Sequence, residues 1–275
     1  MPELVLTLHE KELFLERVWD YYRQHGRHDL PWRIPQADGS LNPYKVLVSE
    51  LMLQQTQVAR VIPKYEAFLV RFPTIESLAE ATLGEVLMQW QGLGYNRRAK
   101  FLWQAAKLIF ERGEFPTSLA ELLELPGVGI NTAGAIQAYA FNQPAIFIET
   151  NIRTVYIHHF LQQAEAIPDS TIRNLLQQTM DTDQPRDFYW ALMDYGAWLK
   201  ATVRTNSQSK HYVRQTKFEG SKRQIRGQVI RALTTQPMSR AQLYAQVSDS
   251  RLNGVLRELE TEALIVKKRT KYSLY

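Results

Sequence analysis

A chain of 275 residues, 45% hydrophobic and 22% charged, is long enough for one large domain or two ordinary ones, which excludes a peptide, a low-complexity tail and a coiled coil. With no cysteine it can hold no disulfide, no iron–sulfur cluster and no thiolate zinc site, so any metal must bind through oxygen or histidine. The net charge of +5 is unevenly spread: residues 1–199 carry 17 Lys and Arg against 23 Asp and Glu, whereas residues 200–275 carry 16 against 5. A block that basic suits phosphate binding by counterion release, the alternative being a solvated basic tail.

The first stretch, MPELVLTLHEKELFLERVWDYY, carries charge every few residues and lacks the apolar centre of a signal peptide. No run approaches the roughly 18 residues of a membrane span, so the expectation is a soluble cytoplasmic protein without membrane contact, nucleoid-associated if bacterial. Up to residue 199 the pattern is all-α, about ten short amphipathic helices. Start signals stand at Asn42-Pro43, Thr56, Thr82 with Glu85, Ser118 with Glu121, and Asp169. Between them apolar residues recur at helical spacing, as in Val58, Val61, Ile62, Tyr65, Phe68 and Leu69. Trp19, Trp90, Trp103 and Trp190 fall in such stripes and read as core.

Residues 200–221 are polar and basic without periodicity and read as a linker. Helices are expected over 222–234, 239–247 and 248–263. The end, LIVKKRTKYSLY, alternates around Lys268-Arg269-Thr270 as a β-hairpin. Residues 222–275 therefore outline a small α+β, winged-helix-like domain. Arg251 and Arg257 would decorate its third helix, and Lys267, Lys268, Arg269 and Lys271 its wing. Such a domain contacts either DNA or protein.

Three stretches carry chemistry. In Leu125-Pro126-Gly127-Val128-Gly129, alternate glycines permit a tight turn whose N–H groups lie beside the start of the next helix, an anion site that a DNA phosphate would fit. Glu149, in IETNIR, is a carboxylate at a helix start, where it either caps the helix or serves a site. Glu50 lies in the apolar stretch KVLVSELML just before Gln54-Gln55-Thr56-Gln57. A buried glutamate there is costly unless protonated or paired.

The segments GRHDLPWR, NPYKVLVSELMLQQTQVARVIPKYEAFLVRFPT, LMQWQGLGYNRRAK, LPGVGINTAGAI, ETNIRTV and ALMDYGA run in family order over residues 26 to about 199, and with them the chain resembles the helix-hairpin-helix (HhH-GPD) DNA glycosylases, within them the MutY-type adenine glycosylases. The resemblance implies a two-lobed helical body over 1–199. It implies a monomer on double-stranded DNA containing a mispaired or damaged base. Glu50 corresponds to the general acid that protonates a purine at N7, Glu149 to an aspartate that supports the sugar cation, and Asn151 to an asparagine holding that site. Gln54 and Gln55, with Thr56 beside them, match amides that approach the displaced base and its partner, and Tyr95 matches a wedge that enters the stack. Arg27, Trp32, Arg33, Asp194 and Asn131 fall around the flipped adenine. Gly127, Val128 and Gly129 match the phosphate-binding hairpin, and over 125–130 the family often holds a monovalent cation through backbone carbonyls.

These roles agree with the chemistry of base excision. The base must be flipped out, and cleaving its N-glycosidic bond needs one carboxyl that gives a proton and another that stays charged. A raised pKa at a buried Glu50 would suit the first task, and helix-start N–H groups around Glu149 the second. Three departures qualify the match. Glutamate replaces the family aspartate at position 149, the four-cysteine iron–sulfur loop after ALMDYGA is absent, and a winged helix stands where an 8-oxoguanine-reading domain is expected. Asn131 replaces the Schiff-base lysine of the bifunctional relatives, which predicts a monofunctional enzyme. The expected substrate is adenine opposite guanine or 8-oxoguanine; alternatives are thymine, uracil or another modified base in a mispair, or a DNA-binding homologue without activity. Neighbouring His158 and His159 read as packing residues.

Overall fold

Reciprocal caps set several helix starts. Thr82 accepts from the Glu85 N–H while the Glu85 carboxylate accepts from the Thr82 N–H, and Ser118 and Glu121 exchange the same pair of bonds. These details come from a computed structural model that describes residues 4–203, 208–210 and 217–275. Two expected starts differ. The third helix begins at Val58 with Gln57 before it, because the Thr56 hydroxyl is taken up by the Gln54 carbonyl and Arg98. Asp169 is the first helical residue and not the cap, since its carboxylate is held bidentately by Arg153 at 2.6 and 2.7 Å.

The chain divides into two units, each assembled from separate stretches: Met1–Val46, Thr117–Leu123 and Val128–Arg214 in one, Leu47–Pro116, Glu124–Gly127 and Gln215–Tyr275 in the other. The first holds α1 (Leu8–His25), a 3-10 turn (Pro31–Arg33), the start of α2 (Pro43–Leu53), α7 (Leu119–Leu123), α8 (Ile130–Phe141), α9 (Thr150–Phe160), α10 (Asp169–Thr179) and α11 (Pro185–Thr202). Helix α11 packs on α9, α1 and α8. Ile152, Val155, Tyr156, Phe188, Tyr189 and Leu192 are buried there, each worth roughly 1.5–3 kcal/mol. A side chain at Gly196 would run into the Asn151 backbone, so that glycine sets how closely α9 and α11 approach.

The second unit holds the rest of α2, then α3 (Val58–Arg71), α4 (Ile75–Ala79), α5 (Leu83–Gln89) and α6 (Arg97–Arg112), with α4 and α5 packed on α6 and Trp90 fully enclosed. It also holds α12 (Lys222–Leu233), β1 (Met238–Ser239), α13 (Arg240–Val247), α14 (Leu252–Thr261), β2 (Ile265–Lys268) and β3 (Lys271–Leu274). The antiparallel order is β1-β3-β2, with Lys268 facing Lys271 across the turn. The fold is thus mostly helical with a small α+β C-terminal region. That region is fastened to the neighbouring helices by bonds from Gln91 Nε2 to Thr234 Oγ1 (2.9 Å) and from Lys100 Nζ to the Glu262 carbonyl (2.7 Å). Arg251 does not decorate the face of α14; it precedes the helix and pairs with Asp249. Of the expected linker, residues 204–207 and 211–216 lie outside the described residues. No helix among the described residues is long and apolar enough to cross a membrane.

Candidate active site

In the first unit the side chains around the expected base pocket form a clamp. Asp194, buried on α11, accepts from the Arg27 backbone (2.8 Å) and Nε (2.7 Å) and from both terminal nitrogens of Arg33 (2.8 and 2.9 Å). Burial alone would raise this carboxyl, but Arg33 and then Arg27 outweigh it and hold its pKa below the ordinary aspartate value. The Arg33 guanidinium lies 5.1 Å from the Trp190 ring, and Trp32 is buried beside it in the 3-10 turn. The residue triplet Arg27, Arg33 and Asp194 is therefore one ion cluster that ties the segment after α1 to α11.

A second group in the same unit surrounds Glu149. Asn131 Oδ1 accepts from the Ile148 N–H at 3.2 Å, and Asn151 Nδ2 donates to the Met193 carbonyl at 3.2 Å. Two amides thus fix the chain on either side of Glu149. Glu149 occupies the N-cap position of α9, yet its side chain makes no capping bond. Its pKa also differs from expectation. Burial pushes the carboxyl above the ordinary glutamate range, and Arg153, which acts to lower it, does not compensate; Arg153 is itself paired with Asp169. The expected charge stabilisation by helix-start N–H groups does not prevail here. His159, on the same helix, has its Nε2 3.0 Å from the Tyr195 hydroxyl, and burial lowers its pKa to about 4.

In the second unit Glu50 lies on α2 and is half-buried rather than enclosed, although its neighbours Leu47, Val48, Ser49, Leu51 and Met52 are all buried. The chain then turns through Gln54 and Gln55, with Gln55 exposed and left-handed at φ +55°. A second turn, with Gly92 (φ +91°), Gly94 (φ +73°) and Tyr95 (φ +46°), precedes α6. Such a φ is unusual for a tyrosine and needs support. Arg98 supplies it. Its Nη1 donates to the carbonyls of Leu51, Met52 and Gln54 at 2.8, 2.9 and 2.6 Å, and its Nη2 to Thr56 Oγ1, Leu93 and Gly94 at 3.1, 3.3 and 3.1 Å. One buried guanidinium so joins the turn carrying Gln54 and Gln55 to the turn carrying Tyr95. Sequence reasoning assigned Arg98 no role. The available signal was its place in the apolar stripe it shares with Leu102, Ala105 and Ile109, where a cation must find many acceptors.

At the hairpin, Gly127 is left-handed (φ +81°) and a Cβ there would lie 2.7 Å from Phe101 Cβ, so only glycine fits. Gly129 precedes α8 and has open space where a side chain would be, leaving the first N–H groups of that helix approachable.

Comparison with known proteins identifies the family. Residues 48–180 match the HhH-GPD superfamily base excision DNA repair protein family. An adenine DNA glycosylase of Mycolicibacterium smegmatis is 34% identical over 244 residues, 80% of either chain. Those of Buchnera aphidicola subsp. Baizongia pistaciae and Homo sapiens are 37% and 39% identical over 75% and 68% of this chain, which spans 60% and 36% of their lengths. A thermostable thymine-DNA glycosylase shares the fold with a TM-score of 0.62 at 24% identity, over 72% of this chain and 91% of that one. An endonuclease III trapped on DNA does so at 0.58 and 18%, over 70% and 88%. With these similarities, the chain belongs to the HhH-GPD superfamily of base excision DNA repair proteins, within the adenine DNA glycosylase family.

Proposed function

We propose that this protein is a monofunctional DNA glycosylase that flips adenine from a mispair with guanine or 8-oxoguanine in duplex DNA and hydrolyses its N-glycosidic bond. The observation that carries this reading is Glu149, a carboxyl at a helix start that caps nothing and is braced on both sides by asparagine amides. Glu50 gives its proton to N7 of the adenine, the C1′–N9 bond breaks with its electrons leaving on the base, and water adds at C1′ with its surplus proton returning to the Glu50 carboxylate. Glu149 in its ionised form opposes the positive charge on the sugar, which itself favours ionisation as the bond breaks. Asn131 has no amine to attack C1′, which supports hydrolysis without strand cleavage. Gln54, Gln55 and Tyr95 enter the space left by the flipped base. The Gly127–Gly129 turn and the N-terminus of α8 receive a backbone phosphate. The side chains of Leu125, Pro126, Val128 and Ile130 carry no donor atoms, so a monovalent cation there would be held by backbone carbonyls alone.

A single-turnover assay over a panel of mispairs, with alkali to reveal abasic sites, tests the proposal. Release of adenine without strand breaks before alkali is the expected result. Preferential release of thymine or uracil would shift the substrate to a mismatched pyrimidine, and no release from any duplex would leave a DNA-binding homologue.

A further inference from the structure

We propose that Arg223, at the start of α12, is a positioning residue that sets the direction of the Tyr95 side chain; this rests on the reading of Tyr95 as the residue that enters the base stack. Arg223 Nη1 donates to the Tyr95 hydroxyl at 2.8 Å, and its guanidinium carbon lies 5.6 Å from the ring centroid. Arg98 stands 5.5 Å from the same centroid. The left-handed turn and the six Arg98 bonds fix the Tyr95 backbone, but they leave its long axis to be set by whatever holds the phenol. Arg223 comes from a helix that is itself held. Ser221 caps α12, Lys222 pairs with Glu258, and Arg226 pairs with Glu262. The C-terminal domain is thereby given a task in base flipping that its basic charge alone does not imply. An aromatic side chain ordered before it meets DNA loses less freedom on insertion, an advantage of about three- to tenfold in the flipping equilibrium.

The test places 2-aminopurine beside the mispair and titrates intact protein, reading the rise in fluorescence that accompanies unstacking, together with duplex affinity at several salt concentrations. Arg223→Met should lower the flipping equilibrium about three- to tenfold with an unchanged melting temperature and an unchanged salt slope, and Arg223→Lys should recover part of it. Tyr95→Phe keeps the ring and its contact with the guanidinium but removes the acceptor, so adding Arg223→Met to it should cost clearly less than Arg223→Met alone. Additive effects would overturn the proposal. So would an equal loss of affinity for matched and mispaired duplex with the salt slope falling by about 0.9, the mark of a simple phosphate contact. Absence of any fluorescence rise with the unaltered protein would overturn it as well. The readout needs no bond cleavage, so a protein that flips but releases no base would refute the glycosylase reading while still deciding the role of Arg223.

Discussion

In the proposed reaction Glu149 carries the greatest electrostatic demand, because a carboxyl that burial raises must still ionise to oppose a sugar cation. The single-turnover rate should therefore rise with pH through a limb displaced above the ordinary glutamate value. Glu149→Gln should abolish that limb and cost about 10²–10³-fold in rate, the loss expected for one preorganised electrostatic group, while Glu149→Asp keeps activity. A rate unchanged by the glutamine substitution would remove Glu149 from the mechanism. Glu50→Gln should stop base release with DNA affinity within about a few-fold, since an amide keeps the shape but donates no carboxylic proton. Arg98 predicts a stability effect. Burial lowers its pKa to about 10, and a lysine has no planar fork to span both turns, so Arg98→Lys should lose about 2–4 kcal/mol in urea denaturation. Both acids were visible in the sequence because each is odd in its surroundings, one in an apolar helix and one at a helix start. Arg98 and Arg223 were not, because their partners lie up to 47 and 128 positions away, and nothing local encodes such pairings.

Helix α9 carries a pH dependence of its own. His159 is packed among Phe14, Phe160 and Tyr195, and its value of about 4 in the fold lies below the ordinary 6.5. A histidine depressed in this way leaves stability intact above pH 6.5 and withdraws it as pH falls towards 4, by at most about 3 kcal/mol. Denaturation midpoints measured across that window should fall less steeply for His159→Phe than for the unaltered protein; parallel curves would contradict the assignment. Helix starts were legible wherever capping was purely local, as at Thr82 and Ser118. They were misplaced at Thr56 and Asp169, where Arg98 and Arg153 compete for the same oxygens. The hairpin of β2 and β3 was apparent from alternation, whereas β1 is two residues long and shows no period before it pairs with β3.

The uneven charge noted first in the sequence becomes a geometric statement once β2 and β3 place Lys267, Lys268, Arg269 and Lys271 together, all exposed, on one hairpin. Replacing the four with glutamine should weaken binding to any duplex alike and flatten the plot of log affinity against log salt by about 0.9 for each phosphate no longer neutralised. An unchanged slope would point instead to a protein partner for this domain. Substitution is the better probe than deletion, because the bonds from Gln91 and Lys100 make the C-terminal region part of its unit. The assembly of the other unit from distant stretches has a consequence for synthesis. Leu6 bonds Gln178 and Arg27 bonds Asp194, across 172 and 167 positions. At roughly 5–20 residues per second, α1 leaves the ribosome about ten to thirty seconds before α11 exists. Phe14 on α1 packs on Tyr156 and Phe160 of α9, and the helix as a whole packs on α11, so the native cover of its apolar face arrives in stages and is complete only once α11 has been made.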